Sequence, residues 1–287
     1  MNAPLPAHPN PAPTARQARK TAFEANKLAK RLRRAADRPL PTTVWYPATG
    51  AAGAAGSART GAAVAEGRFP LVLFSHGLTG LPQYYATLTT RLAAAGFVVA
   101  APAYPYTNHD ATTKNFADVT NQPADATFVI DEVLRLGQTS GDPLAGHLDP
   151  EHVAAAGHSA GGFTTAGLLA ARHGARLRAG IVIAGGSMGT VTTPAASMLF
   201  IHGDADPTVS YQTGRSAYDR LTWPKAFLTV VGGDHSAYLG SGRDGNTAVV
   251  ATMTDFLRAT LYGDVAARAR LAADGTSAAT RFEQHLS

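Results

Sequence analysis

From Phe69 onward, the sequence alternates short apolar runs with amphipathic segments of helical spacing. The apolar runs are continuous, which is typical of strands that are covered on both faces. They lie near residues 69–75, 96–101, 152–157, 179–184, 197–203 and 225–231. Helical segments lie near residues 82–95, 123–137, 160–173, 210–221, 247–261 and 264–273. The alternation predicts an α/β fold with a doubly wound, mostly parallel sheet, helices on both faces and ligands bound beyond the carboxyl ends of the strands.

The pentapeptide Gly-x-Ser-x-Gly occurs after two of these strands, around Ser159 and around Ser187. This pattern places a serine on a tight turn between a strand and a helix. An Ala/Leu-rich helical segment follows Ser159, whereas the β-branched, proline-terminated residues 190–194 follow Ser187. We therefore predict that Ser159 is a catalytic nucleophile and that Ser187 is a loop residue. The alternative for the first motif is a glycine-rich helix start that binds an anion through its backbone.

A nucleophilic serine needs a histidine to accept its proton and an acid to orient that histidine. Asp204 and Asp206 both follow the apolar run at 197–203. Asp206 is the better candidate because a proline follows it and ends the turn, and Asp204 is the reserve. His235 follows the next strand, so the chain order is Ser, Asp, His, as in hydrolases with this type of sheet.

Two other histidines, His158 and His202, are interpreted as packing residues at strand ends. A rival interpretation takes His202, Asp204, Asp206 and His235 as ligands of a metal ion. It leaves the motif around Ser159 unexplained, so we predict no metal and no cofactor. The chain has no cysteine, which excludes disulfides, thiolate metal sites and a cysteine nucleophile.

Acyl transfer also needs two backbone N–H groups that bind the developing oxyanion. The residue after the nucleophile, Ala160, supplies one of them. The other is expected from the small residues at 75–80 that follow the first long strand. Leu78 is the candidate there, and Gly77 is the alternative.

Three segments together resemble the α/β-hydrolase superfamily. They read LVLFSHGLTG at residues 71–80, LAAAGFVV at 92–99 and GHSAGG at 157–162. Within the superfamily, the chain resembles cutinase-like polyester hydrolases and the platelet-activating-factor acetylhydrolase-like and chlorophyllase-like esterases over about residues 42–261.

The resemblance implies metal-independent ester hydrolysis through an acyl-enzyme. It carries the nucleophile, acid and base onto Ser159, Asp206 and His235, and the oxyanion amides onto Leu78 and Ala160. The chain differs from the cutinase-like enzymes in having Leu78 where they have an aromatic residue. It also has residues 185–187 where they have a loop tryptophan, which argues against an aromatic clamp for polyester rings.

The predicted substrates are small or polymeric esters with short to medium acyl groups. Tyr84 and Tyr85, and Tyr104 and Tyr106, either line the pocket or pack beneath a loop. Only residues 185–196 connect two of the strands, which is too short for a cap domain, so we expect an open site without interfacial activation. Acyl transfer to an alcohol and peptide hydrolysis are alternatives that use the same three residues.

The formal net charge of +5 is concentrated at the amino terminus. Residues 1–38 hold nine Lys and Arg against two acidic residues, whereas the rest holds 16 against 18. We predict a basic, partly disordered extension over 1–38 and a catalytic domain over 39–287. Residues 1–15 are expected to be disordered, and 16–36 to form a basic helix with a thin apolar stripe.

A first strand is expected at 42–46, followed by a mobile connector at 48–67. The basic extension has no aromatic interleaving, zinc-ligand spacing or helix-turn-helix pattern, so we expect no nucleic-acid partner. A non-catalytic binding module with a basic arm is the alternative function. No window reaches the roughly 18 apolar residues of a membrane span, and residues 1–40 show no hydrophobic region of a signal peptide. As written, the sequence favours a cytoplasmic protein; a secreted one is expected if the start site is mis-set or the chain is a mature form.

Overall fold

The computed structural model describes residues 24–35, 38–49, 59–170, 176–190 and 196–286. The strands are β1 (Glu24–Ala35), β2 (Arg38–Ala48), β3 (Arg59–Thr60), β4 (Phe69–Ser75), β5 (Val98–Pro102), β6 (Leu148–His158), β7 (Leu177–Ile183), β8 (Ser197–Gly203), β9 (Lys225–Val230) and β10 (Thr280–His285). The α-helices are α1 (Ala86–Ala94), α2 (Gln122–Leu136), α3 (Ala160–Ala170), α4 (Tyr211–Arg220), α5 (Asn246–Leu261) and α6 (Val265–Gly275). Short 3-10 helices cover Pro82–Tyr85, Phe116–Asn121 and Ala237–Leu239.

All of these strands belong to one sheet, in the order β10-β9-β8-β7-β6-β4-β5-β2-β1-β3. The six central strands, from β9 to β5, run parallel to one another. The neighbouring strands β2 and β10 are antiparallel to them. The predicted fold class, an α/β fold with a mostly parallel sheet, is therefore confirmed. None of the helices in the described ranges is long and apolar enough to cross a membrane.

Each face of the sheet is covered by a separate apolar core. Leu71 and Leu73 of β4 belong to one core, with side chains of α2, α3 and α4. Val72 and Phe74 belong to the other core, with side chains of α1, α5 and α6. Because alternate residues of a strand point to opposite faces, burial of both faces requires the continuous apolar runs of the sequence.

The helix predicted over 16–36 is wrong, because its described part forms β1 and pairs with β2 along its length. Leu28 and Leu32 point inward and pack against the core, and Lys30 between them forms an ion pair with Asp142. The alternate positions, such as Arg31, are exposed. A spacing of four residues fits a helix and a strand equally, so the two leucines do not distinguish the two structures. The disorder predicted for 1–15 lies outside the described residues.

The strand predicted at 42–46 is longer in the structure, where β2 continues through three prolines. Proline has no N–H to donate and is tolerated where a strand has a partner on one side only. β5 pairs with β2 only over Thr42–Trp45, so Pro39, Pro41 and Pro47 lie beyond that pairing. The prolines thus mark the ends of the β2–β5 ladder and not the ends of β2.

The predicted connector at 48–67 is described only in part, since residues 50–58 lie outside the described ranges. The N–H of Thr49 donates to the carbonyl of Ala63 at 3.1 Å, and that of Ala65 to Pro47 at 2.9 Å. Two of its residues form β3, which pairs with β1. The described part of the connector is therefore bound to the edge of the sheet.

A buried ion-pair cluster ties β2 to α2 and to the 3-10 helix before it. The guanidinium of Arg38 donates to both carboxylate oxygens of Asp118, at 2.9 and 3.0 Å, and its Nε donates to Asp125 at 3.0 Å. Arg34 of β1 adds a further contact of 2.6 Å to Asp125. The hydrogen bond to Asp125 is the main cause of a raised Arg38 pKa. Basic residues of the amino-terminal segment therefore hold the sheet edge to the core, while the domain division at residue 38 stays a prediction.

Replacing Arg38 with alanine should lower the free energy of unfolding by about 3 kcal/mol. The carboxylates of Asp118 and Asp125 would stay buried without the guanidinium that balances their negative charge. Urea denaturation at pH 7 measures this difference. The matched control is Arg31→Ala on the exposed face of β1, for which we expect a change below about 0.5 kcal/mol. Equal midpoints for Arg38→Ala and the unmodified protein would contradict the stabilising role of the cluster.

Candidate active site

The predicted site residues follow four parallel strands at the same edge of the sheet. Leu78 follows β4, Ser159 follows β6, Asp206 follows β8 and His235 follows β9. Because parallel strands end at a common edge, loops that are far apart in sequence meet there. The structure places all four loops at this edge.

Ser159 lies on a sharp turn between β6 and α3. Its φ is 56°, in the left-handed region that a residue with a side chain rarely adopts. The turn is held by its N–H, which donates to Ile183 at 2.8 Å, and by its carbonyl, which accepts from Gly162 at 2.8 Å. A left-handed conformation of this kind costs roughly 1 kcal/mol or more, and it persists only where neighbouring structure enforces it.

Glycine is required on both sides of the serine because three backbones meet there. A Cβ on Gly157 would lie 2.1 Å from the carbonyl oxygen of Gly161. A Cβ on Gly161 would lie 2.0 Å from the carbonyl oxygen of Ser75, at the end of β4. Neither distance is possible for real atoms, so both glycines of the first motif are needed for the turn to form.

The second motif does not form such a turn in its described residues. Ser187 is exposed and accepts a hydrogen bond from Arg220 at 3.3 Å. The described residues after it, to 190, are not helical. The structure therefore brings Ser159 and not Ser187 to the junction of a strand and a helix.

The side chain of Asp206 is fully buried and binds His235. Its Oδ2 accepts from His235 Nδ1 at 2.8 Å, and its Oδ1 accepts from the N–H groups of Thr208 and Val209 at 2.8 and 3.0 Å. Burial alone would raise the pKa of Asp206, but the hydrogen bonds from His235, Val209 and Thr208 outweigh burial and hold the pKa below its usual value. Asp206 is therefore a carboxylate at neutral pH.

The reserve candidate Asp204 has another role. Its Oδ1 accepts from the N–H of Gly232 at 2.6 Å and helps to fix the loop that carries His235. His202 donates from Nε2 to the carbonyl of Val209 at 2.9 Å and lies 3.3 Å from Asp206 Oδ2. Within the described ranges, no group of three His, Cys, Asp or Glu side chains is arranged to hold a metal ion.

The hydrogen bond to Asp206 also fixes the proton on the His235 ring. With Nδ1 donating to the carboxylate, Nε2 of the neutral ring is left as an acceptor. Among the described contacts, none joins the Ser159 hydroxyl to His235 by a hydrogen bond. Catalytic hydrogen bonds of this kind are often long without substrate and shorten in the complex.

The turn after β4 lies directly against the serine. A Cβ on Gly77 would lie 3.2 Å from the Cβ of Ser159. The N–H of Gly77 is engaged, because it donates to the hydroxyl oxygen of Tyr85 at 3.1 Å. The N–H groups of Leu78 and Ala160 donate to no acceptor in the described part of the chain. The two candidate oxyanion amides are thus available, whereas the alternative, Gly77, is not.

The structure distinguishes packing from pocket-lining roles for three of the tyrosines whose role the sequence left open. Tyr104 is fully buried, and its hydroxyl forms a 2.8 Å hydrogen bond with Ser75, so it is a packing residue. Tyr84 is exposed and Tyr85 is half-buried. Both line a cleft of about 500 Å³ between the turn after β4 and the loop after His235. Other residues of this cleft are Leu78, His158, Leu239 and Arg243.

His158 has hydrogen bonds that the sequence does not predict. The sequence predicts only packing at the end of a strand, whereas the ring lies between Tyr85 and the backbone of His235, at 2.9 and 2.8 Å. His76 is similar: its Nδ1 donates to the carbonyl of Gly77 at 2.7 Å, and its Nε2 accepts from the N–H of Tyr104 at 3.1 Å. Burial is the main cause that lowers the pKa of each of these two histidines to about 4.

Two family models match separate parts of the chain. Residues 54–133 match platelet-activating factor acetylhydrolase, isoform II, and residues 186–264 match the TAP-like protein family of α/β-hydrolases. Each match covers less than a third of the chain, and together they support an assignment to the α/β-hydrolase superfamily. The two matched families indicate that it is a hydrolase enzyme. No individual curated protein matches it.

The two matches cover different parts of the site. The first includes Leu78, and the second includes Asp206 and His235, whereas Ser159 lies between them. The prediction that Ser159 is the nucleophile is therefore supported by the geometry of its turn and not by either match. The resemblance to cutinase-like enzymes stays a prediction.

The hydrolase should lose stability as the pH falls from about 6.5 to about 4. His76 and His158 take up a proton near pH 6.5 when unfolded but only near pH 4 when folded, so the unfolded state binds more protons in this window. The expected loss is about 2 kcal/mol for each histidine between pH 7 and pH 4.5. Urea denaturation at the two pH values measures it. His158→Gln should reduce this pH dependence, and His285→Gln on the exposed strand β10 should not; an unchanged dependence in His158→Gln contradicts the assignment.

Proposed function

We propose that this hydrolase cleaves carboxylic esters with Ser159 as nucleophile, His235 as general base and Asp206 as the acid that orients the base. The observation that carries the proposal is the hydrogen bond between His235 and the buried carboxylate of Asp206, at the same sheet edge as the strained Ser159 turn. The sheet edge also presents two backbone amides, of Leu78 and Ala160, for which the described residues supply no acceptor. These are the parts that acyl transfer to a serine requires.

In the first half of the reaction, Ser159 Oγ attacks the carbonyl carbon of the ester and its proton passes to His235 Nε2. The carbonyl oxygen becomes an oxyanion, to which the N–H groups of Leu78 and Ala160 donate. Asp206 stabilises the imidazolium of His235 without accepting its proton. When the tetrahedral intermediate collapses, His235 gives the proton to the departing alcohol and the acyl group remains on Ser159.

In the second half, a water molecule takes the place of the alcohol. His235 accepts a proton from the water as its oxygen attacks the acyl carbon, and the same two amides hold the second oxyanion. Collapse returns the proton to Ser159 Oγ and releases the carboxylic acid. The enzyme is then in its starting state, so the cycle needs no cofactor or metal.

The size of the cleft favours substrates with short to medium acyl groups. Its volume of about 500 Å³ lies within the usual range of small-molecule sites. Leu78 and Leu239 offer apolar contacts, and Arg243 adds a cation to the lining. The family matched over residues 54–133 takes its name from an acetylhydrolase, which supports small acyl groups as substrates.

Replacing Ser159 with alanine should lower kcat for p-nitrophenyl acetate and p-nitrophenyl butyrate at least about 10⁴-fold, because the nucleophile is removed. The matched control is Ser187→Ala, which removes the serine of the second Gly-x-Ser-x-Gly motif and should keep near-normal activity. A serine-reactive fluorophosphonate should label the unmodified protein and Ser187→Ala but not Ser159→Ala. Substantial activity in Ser159→Ala would exclude the proposed mechanism.

Replacing Asp206 with asparagine should lower kcat about 10³- to 10⁴-fold, because the amide keeps the shape but no longer favours the Nδ1–H form of His235. The control is Asp204→Asn, in which the side-chain oxygen that accepts from Gly232 is preserved. It should change kcat by less than about threefold. Steady-state kinetics on p-nitrophenyl butyrate separates the two variants; a larger loss in Asp204→Asn would assign the acid to Asp204.

A further inference from the structure

A chain of three hydrogen bonds joins three of the four loops of the site. The N–H of Gly77 donates to the hydroxyl oxygen of Tyr85 at 3.1 Å. The hydroxyl of Tyr85 and Nδ1 of His158 are 2.9 Å apart, and Nε2 of His158 and the carbonyl oxygen of His235 are 2.8 Å apart. Tyr85 and His158 take no part in the proposed chemical steps. They nevertheless link the oxyanion turn, which contains Gly77 and Leu78, the serine turn, which contains Ser159, and the base loop, which carries His235.

The proton positions along this chain follow from the groups at its ends. A carbonyl oxygen can only accept, so Nε2 of His158 carries a proton and donates it to His235. In a neutral ring Nδ1 is then an acceptor, so the hydroxyl of Tyr85 donates to it. The tyrosine oxygen in turn accepts from Gly77. Every donor and acceptor along the chain is satisfied in this one arrangement.

The surroundings keep His158 in this neutral form. The residue is only 5% exposed, and its ring centroid lies 4.7 Å from that of His235 and 5.8 Å from that of Tyr85. Burial lowers its pKa to about 4 and outweighs the hydrogen bond to the His235 carbonyl, which acts to raise the pKa. A neutral neighbour adds no positive charge that would oppose the imidazolium formed on His235 during the reaction.

His235 is thus held at two points. Asp206 holds its ring through Nδ1, and His158 holds its backbone carbonyl. The second contact adds to the hydrogen bond between Gly232 and Asp204, in a loop that contains Gly232 and Gly233 and in which Gly232 has a φ of 65°. Glycine residues leave the backbone free to take many conformations, so a backbone contact restricts the loop where the side-chain contact does not.

The same hydrogen-bond chain also restricts the oxyanion turn. Because the N–H of Gly77 donates to Tyr85, the next N–H in the turn, that of Leu78, remains the available donor. Tyr85 is itself fixed by its ring, which packs on Phe74 of β4 with the centroids 4.8 Å apart. A shift of Tyr85 would therefore move the amide donor and, through His158, the base.

We infer that Tyr85 and His158 are positioning residues. Through one hydrogen-bond chain, they hold the His235 loop and the Gly77–Leu78 turn at fixed positions relative to Ser159. The inference rests on the proposed function, because it assigns these residues an effect on that reaction. A displacement of about 1 Å at a reacting group can cost on the order of 100-fold in rate. We therefore expect that loss of this hydrogen-bond chain lowers kcat.

The first test is Tyr85→Phe, which keeps the ring on Phe74 and removes the hydroxyl. With p-nitrophenyl butyrate, kcat should fall about 10- to 100-fold while KM changes less than about threefold. Since Tyr85 also lines the cleft, a role in substrate contact alone predicts the reverse, a raised KM with kcat kept. The control is Tyr46→Phe, which removes a tyrosine hydroxyl that donates to Ala62 at 3.0 Å on β2, away from this sheet edge. It should leave both constants near their normal values.

The second test compares two replacements of His158. In His158→Gln the amide nitrogen can still donate to the His235 carbonyl, whereas His158→Leu has no donor. The glutamine variant should therefore recover at least about fivefold in kcat over the leucine variant, and should react faster with a fluorophosphonate. If His158→Leu does not fold, the kinetics of Tyr85→Phe and the ¹⁵N spectrum of the unmodified protein decide. That spectrum should show His158 at pH 7 as the neutral ring protonated at Nε2.

The outcomes separate this inference from the proposed function. Normal kcat in Tyr85→Phe, or an ¹⁵N spectrum with His158 charged or protonated at Nδ1, overturns the positioning role; if Ser159→Ala is then still inactive, the ester hydrolase mechanism stands. An active Ser159→Ala overturns both. A lowered kcat in Tyr85→Phe together with partial recovery in His158→Gln supports the hydrogen-bond chain.

Discussion

The contact between the first turn of α3 and the end of β4 is the constraint on which the site depends. It brings Gly161 so close to the carbonyl of Ser75 that no side chain fits between them. The same approach forces Ser159 into its left-handed conformation and places Gly77 against it. The helix start, the serine and the oxyanion turn therefore share one geometry, and the strain at Ser159 is supported by the burial of β4 and β6 in both cores.

Burial on both faces also explains how much of the fold the sequence predicts. The six central strands and the helices between them are found within a few residues of their predicted limits, because their apolar runs have no alternative structure. The strands at the edges of the sheet are harder to predict. In β1, Leu28 and Leu32 fit a helix as well as a strand, and β10 has the short, mostly exposed sequence TRFEQH, which carries little pattern. Edge strands are stabilised by their neighbour, and that neighbour is not visible in the strand's own sequence.

For the site, the sequence predicts which loops meet but not how their side chains contact one another. The motif around Ser159 and the positions of Asp206 and His235 after successive strands follow from local patterns, and their catalytic roles remain predictions. The contacts of His158 could not be predicted, because they join residues from loops that are 73 and 77 positions apart in sequence. The basic amino-terminal residues show the same limit: their charge is plain in the sequence, but the pairing of Arg38 with Asp118 and Asp125 is not.

Two kinds of histidine therefore meet at this sheet edge, and burial distinguishes them. His235 is partly exposed and bound to a carboxylate, so a positive charge on it is compensated during the reaction. His158 and His202 are buried, and their lowered pKa values keep them neutral donors to backbone carbonyls. If either were charged, the single carboxylate of Asp206 would face two cations, and the attraction that stabilises the His235 imidazolium would be shared. The neutral histidines thus give the base loop its hydrogen bonds while leaving the charge of Asp206 to His235.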